Sequence, residues 1–363
     1  MKPILKHELK NGLIVATILS IINIFIWISQ LNSLIDINGN SYIHGNDDDL
    51  MSFISIIDPT IILVGIIAMS ILVAMQFKSD KESGTRDFLA VLPYTNKQRF
   101  YNKVLVGATT VCITFIISVI SIYVLQGEYK YYQDIIYTTS SYEEELRQIT
   151  SFCSVSLILL YIHIKIFIYY LFLTVLQYMI KGSKAPIVIG NLVFVSIPYI
   201  FFSISYYLRD MFNITSFNNE NLSIFGSVIL DVNTSISRRY LMINDSTRVY
   251  VGHGISENYI SKIIMLVLVG TIIFVIGKMC SDKYGLIERK SFFVNRGIEL
   301  IFKIGVTVCS GLLPFSIGFM VKRLTGNYFW NPDQYSILIT ICMIVAGCIG
   351  FFISNKIAKG GRS

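Results

Sequence analysis

The sequence predicts an all-α polytopic membrane protein with about eight transmembrane helices. Of its 363 residues, 53% are hydrophobic and 15% are charged, and the mean hydropathy is +0.62. A soluble core of this size cannot bury so much apolar surface. Apolar segments of roughly 20 residues, the length that crosses a hydrocarbon layer of about 30 Å, recur along the chain. They lack the apolar and polar alternation of membrane barrel strands, so helices are expected.

The apolar segments define the predicted domain organisation. Eight of them occur, at approximately 13–31, 59–77, 104–125, 152–180, 185–208, 259–281, 300–321 and 335–354. We expect spans one to five within 13–208, with a loop at 78–103, and spans six to eight within 259–363. The intervening 209–258 is long enough to fold into an extracellular lobe, and its stretches 224–232 and 247–251 have β-forming composition. Residues 126–151 are predicted to form an acidic outer loop.

The distribution of charge predicts the orientation, because loops rich in Lys and Arg remain in the cytoplasm. With the N-terminus inside, the cytoplasmic termini and loops hold 20 of the 30 Lys and Arg residues but only 7 of the 23 Asp and Glu residues. Both termini are therefore expected in the cytoplasm of a prokaryotic cell, with the chain in its plasma membrane. The net charge of +7 reflects this topology and requires no nucleic-acid partner.

Residues 1–12 place Lys2, Lys6 and Lys10 at four-residue spacing on one helical face. This pattern favours a short helix that lies in the membrane interface before the first span. An ordinary basic flank of that span is the alternative. The apolar run that follows has full span length, so we expect an uncleaved first helix.

Metal and nucleotide chemistry have no motif in this sequence. The four histidines are scattered, without an HExxH pattern, and the six cysteines have no CxxC spacing, so no metal site is expected. A phosphate cradle of the type G-x-x-x-x-G-K-[ST] is also absent from the sequence. We therefore expect a non-catalytic chain without a cofactor of its own. A membrane-embedded enzyme resembling an intramembrane protease, or a secondary transporter, is the alternative.

The loop at 78–103 carries the most specific pattern. Thr85 is suited to cap a short helix that Pro93 ends, and Thr95 is suited to start the next helix. Three apolar residues fall on one face of the short helix: Phe88, Leu89 and Leu92. An exposed apolar face of this kind requires a groove, provided by lipid or by a partner protein.

This loop resembles the corresponding loop of ABC-2-type transporter permeases. There, a Glu and a Gly-Thr precede a short helix with leucines, followed by Leu-Pro, a small polar residue and a basic residue that enters the third helix. The matching positions are Glu82, Gly84, Thr85, Leu89, Leu92, Pro93, Thr95 and Lys103. The N-terminal residues 6–10 and the hydropathy profile are also similar to larger eight-span members, such as acetoin-utilisation-type and peptide or lantibiotic exporters.

The resemblance implies a function and partners. In that family the short helix is the coupling helix, which docks on a separate ATP-binding subunit that holds ATP and Mg. It implies coupling by Glu82, Gly84, Thr85, Phe88, Leu89, Leu92 and Pro93. A solvated connector is the alternative for this segment. The translocation route is expected between two permease chains, identical or related, in the lipid bilayer, with the substrate open among peptides, lipids, glycans and drugs.

Polar residues within the fourth span are candidates for the translocation route. His163 and Lys165 lie near its middle and Tyr169 follows. A lysine at the bilayer centre costs about 2.5–3.5 kcal/mol on insertion scales, which makes it a candidate functional residue. The alternative is a lysine bonded to carbonyl groups or reaching the interface. Glycines at Gly65, Gly347 and Gly350 permit close helix contacts, either within the chain or at a dimer face.

Overall fold

The computed structural model describes residues 2–40, 47–81, 95–139, 152–212, 236–244, 247–255, 259–284, 292–325 and 332–360. Within these residues the chain forms eight helices and one β-hairpin. In chain order they are α1 (Lys2–Asn40), α2 (Asp47–Lys81), α3 (Asn96–Thr139), α4 (Phe152–Met179), α5 (Ala185–Phe212), β1 (Ile236–Asn244), β2 (Thr247–Ile255), α6 (Tyr259–Tyr284), α7 (Arg296–Thr325) and α8 (Pro332–Gly360).

Seven of the helices formed by these residues are long and apolar enough to cross a membrane. Their apolar stretches are Glu8–Ser29, Thr60–Lys78, Asn96–Leu125, Ser156–Met179, Ile263–Lys283, Arg296–Gly318 and Leu338–Lys359. Large apolar side chains are exposed on each of them, as lipid contact requires, for example Phe25, Ile301 and Phe352. The chain is a helical multi-pass membrane protein, which confirms the coarse fold class, whereas the cytoplasmic position of the termini and the short coupling helix stay predictions. In α5 the structure describes the apolar stretch Ala185–Ile197, and the eighth span stays a prediction.

Two helices are longer than the predicted spans. Helix α1 continues without a break from Lys2 through the first span to Asn40, so residues 2–12 form its first three turns and their interfacial position stays a prediction. Helix α3 continues past Leu125 to Thr139, and the prediction of a loop from residue 126 is wrong for this part. The loop was predicted from polarity, but polar residues do not end a helix, and no proline occurs between 96 and 151.

The hairpin lies in the predicted lobe at 209–258. Strand β1 pairs antiparallel with β2 in a register that runs from Ile236 opposite Ile255 to Asn244 opposite Thr247. The β-forming stretch predicted at 247–251 is confirmed as part of β2. The other stretch, 224–232, lies outside the described residues.

The chain divides into two compact units. The first contains α1, α3, the hairpin, and most of α2, α4 and α6. Its central helix is α4, since 78% of the apolar stretch of α4 is buried, compared with 39–44% for α1, α2 and α3. Three neighbours place a glycine against α4: Gly65 of α2 faces Ile166, Gly107 of α3 faces Tyr170, and Gly270 of α6 faces Ile168. At these positions the glycines leave room for side chains of α4.

The second unit contains α5, α7, α8 and the last turns of α2, α4 and α6. Helices α7 and α8 make the most extensive helix contact of the described chain. A Cβ atom at Gly350 would overlap the side chain of Ser310, and one at Gly347 would lie 3.6 Å from the carbonyl oxygen of Thr307. Gly347 and Gly350 of α8, like Gly65 of α2, are thus in contact with helices of the same chain.

The turn from α4 to α5 requires a glycine at one position. Gly182 has a φ of 85°, a left-handed conformation that side chains with a Cβ atom disfavour. We expect Gly182→Ala to lower the free energy of unfolding by about 1 kcal/mol, measured by denaturant titration in mixed micelles. Gly182→Asn should lower the free energy of unfolding less, because Asn tolerates this conformation best among residues with a Cβ. Equal stability of the Ala variant and the wild type would contradict the assignment.

Candidate functional site

The segment that resembles a coupling helix lies between the end of α2 and the start of α3. Helix α2 ends at Lys81, and Thr95 immediately precedes α3. The candidate coupling residues between them lie outside the described residues: Glu82, Gly84, Thr85, Phe88, Leu89, Leu92 and Pro93. The structure therefore defines the two attachment points of the segment.

Thr95 caps α3, as predicted. The Thr95 hydroxyl accepts a hydrogen bond of 3.2 Å from the backbone N–H of Gln98, and the side-chain oxygen of Gln98 accepts one of 3.1 Å from the N–H of Thr95. This reciprocal arrangement is a capping box, which satisfies N–H groups that the first helical turn leaves without partners. The start of α3 is fixed by these bonds.

Two turns further along α3, Lys103 is fully buried. Its Nζ lies 3.0 Å from Oε1 of Glu8 in α1 and donates a hydrogen bond of 2.7 Å to the carbonyl oxygen of Gln76 in α2. It also lies 4.4 Å from the ring centre of Phe77. A buried charge is tolerated when it is paired and hydrogen-bonded, and Lys103 meets both conditions. The ion pair links α1 to α3, and the hydrogen bond to Gln76 adds α2.

Tyr170 adds α4 to this group. Its hydroxyl oxygen lies 2.6 Å from the carbonyl oxygen of Lys103 and 2.8 Å from the side-chain amide of Gln76. A hydroxyl has a single proton, which we assign to the shorter contact. The amide of Gln76 then donates its NH₂ to the hydroxyl oxygen, an orientation equivalent to an amide flip. We refer to Glu8, Gln76, Phe77, Lys103 and Tyr170 as the Lys103 cluster.

A second lysine holds the other end of the segment, within the second unit. The Nζ of Lys81 donates hydrogen bonds to the side-chain oxygen of Gln177 at 2.7 Å, and to the carbonyl oxygens of Gly182 at 2.6 Å and Ile180 at 3.3 Å. These bonds hold the last residue of α2 to the turn between α4 and α5. Lys81 is thus held within the second unit, and Thr95 and Lys103 are held within the first.

The candidate route residues of α4 divide between two faces. Tyr161, Lys165 and Tyr169 are four residues apart and share one face, whereas His163 is two residues from Lys165 and points to the opposite face. The Nζ of Lys165 lies 4.3 Å from the ring centre of Tyr161, and the Tyr169 hydroxyl is 2.9 Å from that of Ser70. Lys165 is only 7% exposed, so its ammonium group is retained among buried side chains.

His163 is a buried member of the helix packing. Its Nδ1 lies 2.8 Å from the carbonyl oxygen of Leu159, one turn earlier, and its ring packs edge-on against Phe115 with centroids 5.5 Å apart. Only 2% of the side chain is exposed. The structure therefore brings Lys165 and Tyr169 together and separates His163 from them.

Sequence reasoning missed four of the five members of the Lys103 cluster: Glu8, Gln76, Phe77 and Tyr170. Glu8 carries a signal in retrospect, since it is the only acidic residue among the first 35 and follows two lysines. Gln76 and Tyr170 carry none, because they meet across 94 residues of sequence. Among the residues that the structure describes, no group of three or more His, Cys, Asp or Glu side chains is placed to hold a metal ion.

No protein-family model matches the sequence, and no curated protein and no solved structure matches the chain significantly.

Proposed function

We propose that this chain is the permease subunit of an ATP-driven ABC exporter, with residues 82–93 docking on a separate ATP-binding subunit. The observation that carries the proposal is the pattern of the loop at 78–103, in which Glu82, Gly84 and the leucine-bearing helix match the ABC-2 loop. ATP and Mg then bind to the partner subunit. Both termini and this loop face the cytoplasm in the orientation that the basic residues favour.

The attachment of the loop supports this proposal mechanically. A docking segment transmits the movement of a partner only if its ends are firmly joined to the helices that must move. Lys81 makes three hydrogen bonds directly before the segment, and the capping box of Thr95 and the buried Lys103 follow it. A displacement of the segment would therefore also displace the ends of α1 to α4, because these bonds hold the helix ends on both sides of the segment.

The route itself is proposed between this chain and a second permease chain in the plasma membrane of a prokaryote. Lys165 and Tyr169 supply a cation and a hydroxyl group on one face of α4. An anionic or polar part of a substrate would interact favourably with such a face in a low dielectric. Peptides, lipids, glycans and drugs that carry such a group are the candidate substrates.

The test is capture of the partner by the leucines of the segment. Purification of the tagged chain from its native host is expected to bring down an ATPase that carries a phosphate cradle. Leu89→Asp or Leu92→Asp should abolish capture and substrate-dependent ATP hydrolysis, because a charge in the apolar face cannot enter a protein groove.

Leu89→Met and Leu92→Met are the matched controls, since they keep the apolar face and should retain the ATPase. Equal yields and melting temperatures of all four variants would show that the aspartates act on docking alone. A chain that purifies without any ATPase, or aspartate variants that still capture one, would contradict the proposal.

A further inference from the structure

The turn between α4 and α5 is joined to the residues that precede α7. The backbone N–H of Lys181 donates a hydrogen bond of 2.9 Å to the carbonyl oxygen of Phe292. The N–H of Val294 donates one of 3.0 Å to the carbonyl oxygen of Met179, the last residue of α4. Ile180 and Phe293 pair in this bridge, and both side chains are buried. The starts of α5 and α7 are therefore held together.

Helices α5 and α7 then run side by side in the same direction. The Tyr199 hydroxyl donates to the carbonyl oxygen of Cys309 at 3.3 Å, and the hydroxyls of Ser203 and Ser316 are 2.8 Å apart. These contacts join residues that are 110 and 113 positions apart in sequence. Residues about 112 positions apart consequently lie at the same level of the helix pair. By this register, Lys184 is level with Arg296.

Three basic residues at this level form what we call the basic cluster: Lys181, Lys184 and Arg296. Their side chains are exposed, and none forms an ion pair with a carboxylate in the part of the chain that the structure describes. Glu299, in the first turn of α7, pairs with Lys303 at 2.7 Å. The positive charge of the basic cluster is thus not compensated by the acid closest to it along α7.

Next to the basic cluster, the surface of both helices is apolar. Val188 and Leu192 of α5 are 57% and 62% exposed, and Leu300 and Ile304 of α7, at the same two levels, are 57% and 55% exposed. A soluble anion would need only the cations. A surface that combines cations at the helix starts with exposed apolar side chains along the following turns matches an amphiphile with a negative headgroup.

We propose that the basic cluster binds the headgroup of an anionic phospholipid, whose acyl chains lie along the exposed apolar residues of α5 and α7. Each basic residue near an anionic headgroup contributes about fivefold to the affinity. In the orientation proposed above, the lipid belongs to the cytoplasmic leaflet. The inference stands on the bridge, the register and the exposed charges, so it does not depend on the transport function.

The test is native mass spectrometry of the full chain, purified in detergent and titrated with phosphatidylglycerol or with phosphatidylcholine. The wild type should bind phosphatidylglycerol in preference to phosphatidylcholine. The triple variant Lys181→Gln, Lys184→Gln, Arg296→Gln should lose affinity for phosphatidylglycerol by about tenfold to a hundredfold, with phosphatidylcholine binding unchanged.

A matched control removes three exposed lysines of the first unit: Lys6→Gln, Lys10→Gln, Lys78→Gln. It changes the net charge equally and should bind phosphatidylglycerol like the wild type. If the triple variant of the basic cluster does not fold, Lys184→Gln alone should weaken binding about fivefold, and Arg296→Lys, which keeps the charge, should not.

Four results would overturn the proposal. Equal loss of binding in the control would indicate general surface charge, and equal binding of phosphatidylcholine would indicate non-selective lipid contact. Displacement of phosphatidylglycerol by millimolar inorganic phosphate would indicate a site for a soluble anion. A basic-cluster variant, triple or single, that folds and binds phosphatidylglycerol like the wild type would also exclude the site.

Discussion

Lys103→Met is expected to lower the free energy of unfolding by about 3–5 kcal/mol, measured by denaturant titration in mixed micelles. The substitution removes the ammonium group that lies 3.0 Å from the Glu8 carboxylate and that bonds the Gln76 carbonyl. Glu8 is only 8% exposed, so water can hardly replace the Lys103 ammonium group that its carboxylate would lose. Breaking a buried ion pair by removing one of its members is among the largest losses that one substitution produces.

The double variant Glu8→Gln, Lys103→Met separates the ion pair from the packing. It removes both charges and keeps side chains of similar length, so most of the lost stability should return. Lys78→Met is the surface control, because Lys78 is exposed, and it should change stability by less than about 0.5 kcal/mol. A double variant as unstable as Lys103→Met would show that the side-chain shape, and not the ion pair, holds α1 to α3.

The same variants test the mechanical part of the proposed function. If the Lys103 cluster transmits movement from segment 82–94 to α1, α2 and α4, the folded double variant should still capture the ATPase. Substrate should stimulate ATP hydrolysis by this complex less than by the wild-type complex, because the ion pair between Glu8 and Lys103 that joins these helices is absent. An unchanged response would restrict the Lys103 cluster to a role in stability.

The sequence allowed the helices to be predicted because length and hydropathy are local properties. In lipid, a run of roughly 20 apolar residues must satisfy its own backbone hydrogen bonds, which a helix does. Seven such runs are helices in the structure. Helix ends were less predictable. Polar residues after Leu125 resembled a loop, although nothing in their backbone chemistry stops α3 before Thr139. The Thr95 cap gave an accurate boundary, and the starts predicted at 152, 185 and 259 are the first residues of α4, α5 and α6.

The candidate site was predictable only where its chemistry is local. The opposite faces of His163 and Lys165 follow from their two-residue spacing, but grouping them rested on their shared depth in the span. The Lys103 cluster joins four helices through contacts such as Tyr170 with Gln76, which no sequence pattern brings together. A polar residue in an apolar span predicts that a partner exists, but the packing of the bundle decides which residue it is.

Gly107→Ala is expected to destabilise the first unit by about 1–3 kcal/mol, because the position is already filled by its neighbour. A Cβ atom there would overlap the ring of Tyr170. The ring is fully buried, and its hydroxyl is held by the carbonyl oxygen of Lys103 and the amide of Gln76, so it cannot turn away without breaking these bonds. Helix propensity alone would favour Ala by about 1 kcal/mol. Whether Gly107→Ala lowers or raises the free energy of unfolding therefore distinguishes the effect of packing against Tyr170 from the effect of helix propensity.

Gly305→Ala of α7 provides the comparison, since apart from its chain neighbours and the adjacent backbone of its own helix no atom lies within 4 Å of a Cβ at that position. It should leave stability unchanged or raise it by up to about 1 kcal/mol, as propensity predicts. Gly107→Ala should cost less in a Tyr170→Leu background, where the ring is gone, and this difference measures the coupling of the two positions. If Gly107→Ala costs the same in both backgrounds, the Tyr170 ring does not set the distance between α3 and α4.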